Sequence, residues 1–174
     1  QSDEVENKTE DGNNQKEQET KIVKSIIISS PITGIAADLG TAPDEAFASR
    51  MMGDGAVVTP TDSVVKAPAD GEIVFVFDTK HAVTTEDGIS MIIHVGIDTV
   101  KLNGEGFDVM VEAGQKVKKG DPIMKLDLDY LSANAPSLAS PVMCTELSDN
   151  QKIRLLKEGD IQAGESLFAI DIYE

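Results

Sequence analysis

Turn residues interrupt this chain at short and regular intervals. From Lys21 onward, Gly, Pro or Asp residues occur every 8 to 15 positions, and the segments between them are short and rich in Ile and Val, such as "GEIVFVFD" and "SMIIHVGI". Short β-branched runs separated by turn residues are typical of all-β sandwiches and barrels. Helical candidates are limited to residues 42–51 and 128–135. We therefore predict an antiparallel β-sandwich or barrel with a few short helical turns.

The folded part of the chain also contains internal repeats. Residues 117–130 align without gaps on residues 161–174, with a shared glycine and matching acidic residues. A weaker echo relates residues 30–39 to residues 67–76. Repeats of this kind imply two similar sheet motifs packed on a common core. We predict that the all-β fold is a duplicated one, of the hybrid-motif type.

The start of the chain has a different composition. Residues 1–21 contain seven acidic residues and three lysines, and Val5 is their only strongly apolar residue. Such a segment buries too little apolar surface to offset the conformational entropy lost on folding. We predict a disordered acidic leader or linker over residues 1–21 and a folded domain over residues 22–174. The chain begins with Gln, which favours a domain from a longer protein.

The chain as a whole is strongly acidic, with 31 acidic and 15 basic residues and a formal net charge of −16. This charge repels phosphate backbones and anionic lipids, so it argues against nucleic-acid binding and favours a basic protein partner. No apolar run approaches the ~18 residues needed to cross a bilayer, so we expect no membrane insertion by this chain. The lone Cys144 lies in an apolar stretch, which predicts a small buried residue and not a reactive thiol.

The only two histidines, His81 and His94, flank a predicted hairpin. Asp87-Gly88, between β-forming residues, is a strong signal for a two-residue type I′ turn. Pairing about that turn places His81 directly opposite His94, so we expect both imidazoles side by side on one face of the sheet. Three interpretations stay open from this pairing: a structural pair satisfied by backbone groups, a nucleophile assisted by its neighbour, or part of a metal site. Two ligands alone leave the zinc shell half empty.

The residues around these histidines carry a resemblance. The segment "KHAVTTEDGISMIIHVGIDTVKLNGEGF", together with "MMGDGAVVTP" and "SSPITG", resembles the glucose-family enzyme IIA domain of the bacterial phosphoenolpyruvate-dependent sugar phosphotransferase system. The likeness extends over residues 26–172. It implies an enzyme IIA phosphocarrier domain, a phosphotransferase component, at residues 22–174. Such a domain accepts a phosphoryl group from the phosphocarrier protein HPr on a histidine and passes it to a IIB-domain cysteine for coupled sugar uptake and phosphorylation.

The resemblance also implies roles for individual residues. His94 is expected to accept the phosphoryl group, His81 to support it, and Thr79 to orient the His81 ring through a hydroxyl hydrogen bond. An apolar ring and an acidic rim are expected to bind the protein partners, at Phe47, Met52, Phe77, Asp44 and Asp98. Core packing of Phe77 and simple solvation of Asp44 are the alternatives that stay open for these two residues.

Other functions are weighed against this one. A lysostaphin-type zinc peptidase has a similar duplicated β-architecture, but it needs three protein ligands, which two histidines without the required spacing do not supply. A regulatory IIA-like domain fused to a non-phosphotransferase sugar transporter remains open. We expect no required cofactor, only incidental zinc at His81 and His94. The resemblance implies a cytoplasmic domain of a membrane-bound permease that also carries the IIB domain, and it names no sugar.

Overall fold

Short strands form nearly all the regular structure of residues 21–174, the part of the chain that the computed structural model describes. The strands are β1 (Ile22–Ser29), β2 (Gly34–Asp38), β3 (Asp54–Pro60), β4 (Val64–Lys66), β5 (Gly71–Phe77), β6 (Lys80–Thr85), β7 (Ser90–His94), β8 (Phe107–Val109), β9 (Lys116–Val117), β10 (Pro122–Leu126), β11 (Ser140–Cys144), β12 (Gln151–Leu155), β13 (Gly159–Ile161) and β14 (Ser166–Tyr173). The predicted leader, residues 1–21, lies outside the described residues except for Lys21. The all-β prediction is confirmed.

The strands form three sheets, and every strand pair in residues 21–174 is antiparallel. The largest sheet has eight strands in the order β13-β2-β3-β11-β7-β6-β5-β9. Two three-stranded sheets have the orders β1-β14-β12 and β4-β10-β8. Because β6 and β7 are neighbours near the middle of the large sheet, both strands of the histidine hairpin have partners on each side.

The large sheet is built from two similar halves. In one half β2 lies between β3 and β13, and in the other β5 lies between β6 and β9. Gly34 begins β2, and a Cβ atom added to it would lie 1.9 Å from the Thr59 carbonyl oxygen. Gly71 begins β5, and a Cβ atom there would lie 2.2 Å from the Thr84 carbonyl oxygen. In each half, the first residue of the strand therefore lies too close to the backbone of the neighbouring strand to carry a side chain. This matches the echo between residues 30–39 and 67–76.

The C-terminal repeat also has a structural counterpart. In the turn between β9 and β10, the Lys118 N–H donates to the Asp121 carboxylate at 2.9 Å. In the turn between β13 and β14, the Gln162 N–H donates to the Glu165 carboxylate at 2.8 Å. An acidic residue thus closes both turns in the same way.

The two copies diverge at their second aligned acidic position. Asp127 caps a helix by accepting from the Tyr130 N–H at 3.1 Å. Asp171 instead lies buried within β14, where it accepts from Arg154 Nε at 2.7 Å and from the Ser25 hydroxyl at 2.6 Å. The repeat therefore preserves the turn but not the element that follows it.

Two short helices fall inside the predicted ranges. Helix α1 spans Glu45–Ala48 and α2 spans Leu128–Asn134, and the 3₁₀ helices span Leu39–Thr41 and Thr99–Leu102. Helix α1 begins after Asp44, whose side chain accepts from the Ala46 N–H and so satisfies a free donor of the first turn. Within residues 21–174, no helix is both long and apolar enough to cross a membrane.

Apolar side chains from all three sheets meet in one core. Ile28 of β1, Val65 of β4 and Met91 of β7 belong to the same buried cluster. A smaller cluster contains Phe47 of α1 and Ile97, which lies just beyond β7. This second cluster holds α1 against the loop that follows His94, and so it positions the helix at the candidate site.

Cys144 is buried in the middle of this packing. Burial, with a smaller contribution from the charge of Asp54, raises the pKa of its thiol to about 12. A thiol with that pKa is almost entirely protonated at neutral pH and is a poor nucleophile. The prediction of a small buried residue is confirmed, and its low reactivity stays a prediction.

Candidate functional site

The β6–β7 hairpin differs by one residue from the predicted register. Lys80 is paired with His94, and His81 is paired with Ile93. Opposed residues share a face of a sheet and successive residues alternate, so a slip of one residue moves a side chain to the other face. The prediction that His81 and His94 are directly opposed on one face was therefore wrong. His94 shares the outward face with Lys80, and His81 shares the core-facing side with Ile93.

The turn explains this register. A type I′ turn needs a positive φ angle at both central residues, but in the loop between β6 and β7 only Gly88 has one, at 82°. The Gly88 N–H donates to the Thr85 carbonyl at 2.9 Å, and the Thr85 N–H donates to the Ile89 carbonyl at 2.9 Å. The connection is thus a three-residue loop, residues 86–88, in which glycine takes the left-handed position after the turn.

His81 lies on the core side of the hairpin and is only 1% exposed. Its Nε2 atom has no hydrogen-bond partner among the described residues. The expected hydrogen bond from the Thr79 hydroxyl is therefore not formed with this nitrogen, although Thr79 is itself buried nearby in sequence. Burial lowers the pKa of His81, and the backbone of Ile123 partly opposes that shift. The ring is consequently neutral at pH 7.

His94 ends β7 and is half-buried on the outward face. Its Nδ1 atom lies 2.8 Å from the carbonyl oxygen of Gly96. A carbonyl oxygen only accepts hydrogen bonds, so in the neutral ring the proton resides on Nδ1 and the lone pair is left on Nε2. The local backbone therefore selects the tautomer in which Nε2 is the nucleophilic atom.

The loop after β7 holds the Gly96 carbonyl in place. Gly96 has a φ angle of 77°, and its N–H donates to the Ser140 hydroxyl at 3.1 Å. The Thr99 hydroxyl donates to the Val95 carbonyl at 2.6 Å. A Cβ atom at position 96 would lie 2.5 Å from Thr99 Cγ2. The loop thus needs glycine both for its backbone angle and for its close packing.

A half-open depression of about 400 Å³ lies beside His94, lined also by Phe77, Asp78, Thr79, Lys80, Val100 and Gly104. The Phe47 ring packs against the imidazole, with the ring centroids 5.3 Å apart and tilted by 55°. Phe47 is held from below by the smaller apolar cluster. Helix α1 therefore covers one side of the imidazole and leaves the depression on the other.

Several charges and dipoles act on the pKa of His94. Burial lowers this pKa most strongly, the Gly96 carbonyl opposes it, the charge of Lys80 lowers it further, and Asp44 raises it. The net direction is downward, so His94 is neutral at pH 7. A neutral imidazole with Nδ1 protonated has the form required of a nucleophile.

The predicted partner-binding residues differ in exposure, and of these only Phe77 lines the depression. Phe77 is 58% exposed and Met52 is 48% exposed, whereas Phe47 is buried beside His94. Core packing, the alternative for Phe77, was therefore wrong. Asp98 is exposed, and Asp44 is half-buried at the start of α1. Their role in partner binding stays a prediction.

Sequence reasoning missed three notable residues, of which Lys80 and Val100 line the depression. Met51 is 84% exposed and Val100 is 69% exposed, which makes them the most exposed large apolar side chains in the described residues. Lys80 lines the depression, but its position opposite His94 depends on the register that was wrongly predicted. Val100 lies within the "HVGIDTV" motif, and Met51 directly precedes the predicted Met52. Their nearness in sequence to predicted site residues is the signal that could have identified them.

No group of three or more His, Cys, Asp or Glu side chains within residues 21–174 is arranged to hold a metal ion. The register of the hairpin also places the two histidines on opposite faces of the sheet. That the domain requires no cofactor stays a prediction.

Comparisons with known proteins show the family of this chain. Residues 26–150 match the model of a family described as phosphoenolpyruvate-dependent sugar phosphotransferase system, EIIA 1. The chain is 47% identical over 148 residues to the PTS system N-acetylglucosamine-specific EIICBA component of Klebsiella pneumoniae, which covers 84% of this chain and 22% of that protein. It is 49% identical over 139 residues to the Escherichia coli component of the same name, covering 79% of this chain and 22% of the relative.

A third relative, the PTS system glucoside-specific EIICBA component of Staphylococcus carnosus, is 40% identical over 147 residues, which cover 83% of this chain and 21% of that protein. The chain thus spans about a fifth of the length of these curated relatives. The solved structure of glucose permease IIA from Mycoplasma capricolum superposes with a TM-score of 0.78 at 30% identity, covering 84% of this chain and 96% of that one. The chain belongs to the EIIA 1 family of the phosphoenolpyruvate-dependent sugar phosphotransferase system.

Proposed function

We propose that this domain relays a phosphoryl group from phosphorylated HPr, through Nε2 of His94, to a cysteine of a IIB domain. The observation that carries the proposal is the 2.8 Å contact between His94 Nδ1 and the Gly96 carbonyl, which leaves the Nε2 lone pair free. The depression beside the ring and its lowered pKa support the same role. Membership of the EIIA 1 family supplies the class of reaction.

The relay consists of two displacements at phosphorus. In the first, the Nε2 lone pair of His94 forms a bond to phosphorus while the phosphorus–nitrogen bond in HPr breaks, and the electron pair returns to the nitrogen of HPr. His94 keeps its proton on Nδ1 throughout, donated to Gly96. In the second, a cysteine thiolate of IIB attacks phosphorus and the electron pair returns to Nε2. Both steps need in-line approach from outside, which a half-open depression permits.

His81 is proposed to assist from the core side. Its Nε2 atom has no partner within the described residues, and burial keeps the ring neutral, so it has an unused position for a hydrogen bond to the phosphoryl group. This role requires a local rearrangement near the start of β6, because that nitrogen is buried on the core-facing side of the hairpin. Thr79, which lines the depression and directly precedes β6, is the residue proposed to orient the ring.

The surface around His94 is proposed to bind both protein partners. Phe77, Met52 and Val100 expose apolar side chains there, and Asp44 and Asp98 add negative charge at the rim. Apolar contacts supply affinity, and an acidic rim steers a basic partner towards the site. Phe47 contributes mainly by packing against the His94 ring.

The fusion partners of the relatives favour sugar uptake as the process served. All three relatives are named EIICBA components, so we propose that the IIB partner belongs to the same polypeptide or permease and that this domain works at the cytoplasmic side of the membrane. Two relatives are named for N-acetylglucosamine and one for glucosides, so no sugar is proposed.

The test is transfer of labelled phosphate from phosphorylated HPr to the full chain, followed by addition of an unlabelled IIB domain. We expect an acid-labile label that maps to residue 94 by mass spectrometry and leaves the chain when IIB is added. A label on another residue would contradict the assignment of His94. A label that no IIB domain removes would instead favour the regulatory domain fused to a non-phosphotransferase transporter.

A further inference from the structure

Lys80 is the residue directly opposite His94 in the sheet. It begins β6 and is paired with His94 at the end of β7, so both side chains project from the outward face. Directly opposed residues have Cβ atoms about 4.5–5.5 Å apart. Both side chains also line the same depression. An ammonium group on a four-carbon stem therefore starts beside the proposed nucleophile.

Two aromatic rings restrain this ammonium group. Lys80 Nζ lies 5.2 Å from the centroid of the Phe77 ring and 5.9 Å from that of Phe75. The two rings themselves pack edge to face, with centroids 5.3 Å apart. Contacts between a cation and ring faces are attractive and reduce the number of positions that the side chain occupies. The charge of Lys80 is thus held at the depression.

Lys80 also has no carboxylate partner within residues 21–174. The ion pairs there join Lys21, Arg50, Arg154 and Lys157 to carboxylates, and Lys80, like most of the lysines, is left with an uncompensated charge. A lysine ammonium is a compact point charge that binds phosphate oxygens.

We propose that Lys80 is the phosphoryl-binding cation of this site: its ammonium group, held over the Phe75 and Phe77 rings, pairs with the phosphoryl oxygens carried on His94. The inference rests on the proposed function, because its ligand is a phosphoryl group on that histidine. Lys80 thereby stabilises the phosphorylated domain and favours acceptance from HPr.

Charged groups from every element around His94 set the background for this effect. These are Lys80 on β6, Asp44 at the start of α1, Asp78 in the turn before β6, and Asp98 in the loop after β7. The three carboxylates repel a phosphoryl group, and Lys80 attracts it. Removing the charge of Lys80 should therefore raise the second pKa of the phosphoryl group, because the dianion loses its nearest opposite charge.

The experiment uses the full chain and needs no HPr. Phosphoramidate phosphorylates histidine chemically: Nε2 of His94 forms a bond to phosphorus, the phosphorus–nitrogen bond of the reagent breaks, and ammonia leaves. The ³¹P shift of the product is then followed against pH. Lys80→Met keeps the methylene contacts with the rings but removes the charge, and Lys80→Arg keeps the charge. Lys152→Met is the matched control, because Lys152 Nζ lies over the Tyr173 ring at 5.5 Å in another sheet.

We expect Lys80→Met to raise the proton affinity of the phosphoryl group about tenfold, since a neighbouring opposite charge shifts a pKa by roughly one unit or more. Lys80→Arg and Lys152→Met should match the wild type. Equal pKa values in Lys80→Met and the wild type, or an equal rise in Lys152→Met, would overturn the inference. If these titrations behave as expected but phosphorylated HPr transfers nothing to the wild type, Lys80 binds phosphoryl groups and the proposed relay fails.

Discussion

The two faces of the β6–β7 hairpin each carry one histidine, and the surroundings of the two imidazoles differ. On the outward face, His94 has one ring nitrogen bound to a backbone carbonyl and the other beside an open depression. On the core face, His81 is almost fully buried, and its Nε2 atom has no hydrogen-bond partner within residues 21–174. Burial lowers the pKa of both. The difference indicates that orientation and hydrogen bonding, and not pKa alone, distinguish the proposed nucleophile from the buried imidazole.

The core-facing His81 also lowers the stability of the fold. A buried polar group without a partner destabilises a protein by about 1–3 kcal/mol relative to a satisfied one. An aliphatic residue in its place would avoid this loss. Local rules of folding are most often broken at functional sites, so the unpaired nitrogen is itself a reason to assign His81 a role.

The largest expected effect is on the outward face. His94→Gln should lower phosphoryl acceptance from HPr below detection, because the nucleophile is removed. Its free energy of unfolding should change by no more than about 1 kcal/mol, since one modest hydrogen bond is altered. Labelled transfer and urea denaturation measure the two quantities. If this variant still accepted the phosphoryl group, His94 would not be the nucleophile, and the assignment of roles to the two faces would be wrong.

The core-facing histidine should act at the second transfer. We expect His81→Gln to accept phosphoryl from HPr but to donate it to IIB about 10²–10³-fold more slowly, since that is the usual effect of losing one preorganised donor. Rapid quenching after addition of IIB measures the donation rate. Ile93→Val, directly opposite His81 on the same face, is the control and should cost about 0.5–1.5 kcal/mol of stability without slowing donation. Equal donation rates in His81→Gln and the wild type would leave His81 a purely structural residue.

A third, smaller effect concerns the carbonyl that selects the His94 tautomer. Gly96→Ala places a methyl group 2.5 Å from Thr99 Cγ2 and 3.1 Å from the Ser137 carbonyl oxygen, at a φ angle of 77°. We expect a loss of about 1–3 kcal/mol in stability and roughly tenfold slower acceptance, because strain moves the carbonyl away from Nδ1.

Gly88→Ala is the matched control for that substitution. Gly88 also has a positive φ angle, of 82°, but a Cβ atom there has nothing within 4 Å. Gly88→Ala should lower the stability by about 1–2 kcal/mol through backbone strain alone and leave phosphoryl acceptance unchanged. If both variants slowed acceptance equally, general destabilisation and not the Gly96 carbonyl would be the cause.

The smallest expected effect is on stability against pH. Both histidines have folded pKa values below their ordinary value of about 6.5. Between each folded pKa and pH ~6.5 the unfolded chain binds more protons than the folded one, so stability falls as the pH falls through this window. Urea denaturation from pH 7.5 to 5.5 should show this slope, and His81→Gln and His94→Gln should each flatten it. Unchanged slopes in both variants would mean that neither pKa is lowered by folding.

Much of the fold followed from the sequence because its signals are local. Turn residues separate strands wherever the backbone must reverse, and the aligned Asp121 and Glu165 close the same kind of turn. The aligned Asp127 and Asp171 nevertheless have different roles: Asp127 caps a helix, and Asp171 forms an ion pair with Arg154. The element that follows a turn is decided by packing partners distant in sequence, which a repeat does not encode.

Members of the candidate site could be proposed from the sequence, but their geometry could not. The "HVGIDTV" motif identified His94, yet the register of the hairpin depended on whether Asp87 took a positive φ angle. A difference of one residue exchanged His81 for Lys80 as the neighbour of His94. The alternating pattern of β5 likewise did not decide that Phe77 faces outward. Both choices depend on tertiary contacts across strands.

The pairing of the first strand with the last also determines how this domain connects to other parts of a protein. Ile22 is paired with Tyr173, and Lys21 Nζ lies 2.9 Å from the Glu174 carboxylate. Residues 21 and 174 are therefore neighbours on one patch of surface. Any polypeptide that leaves the folded domain at residue 21 or at residue 174 therefore starts from the same patch of surface.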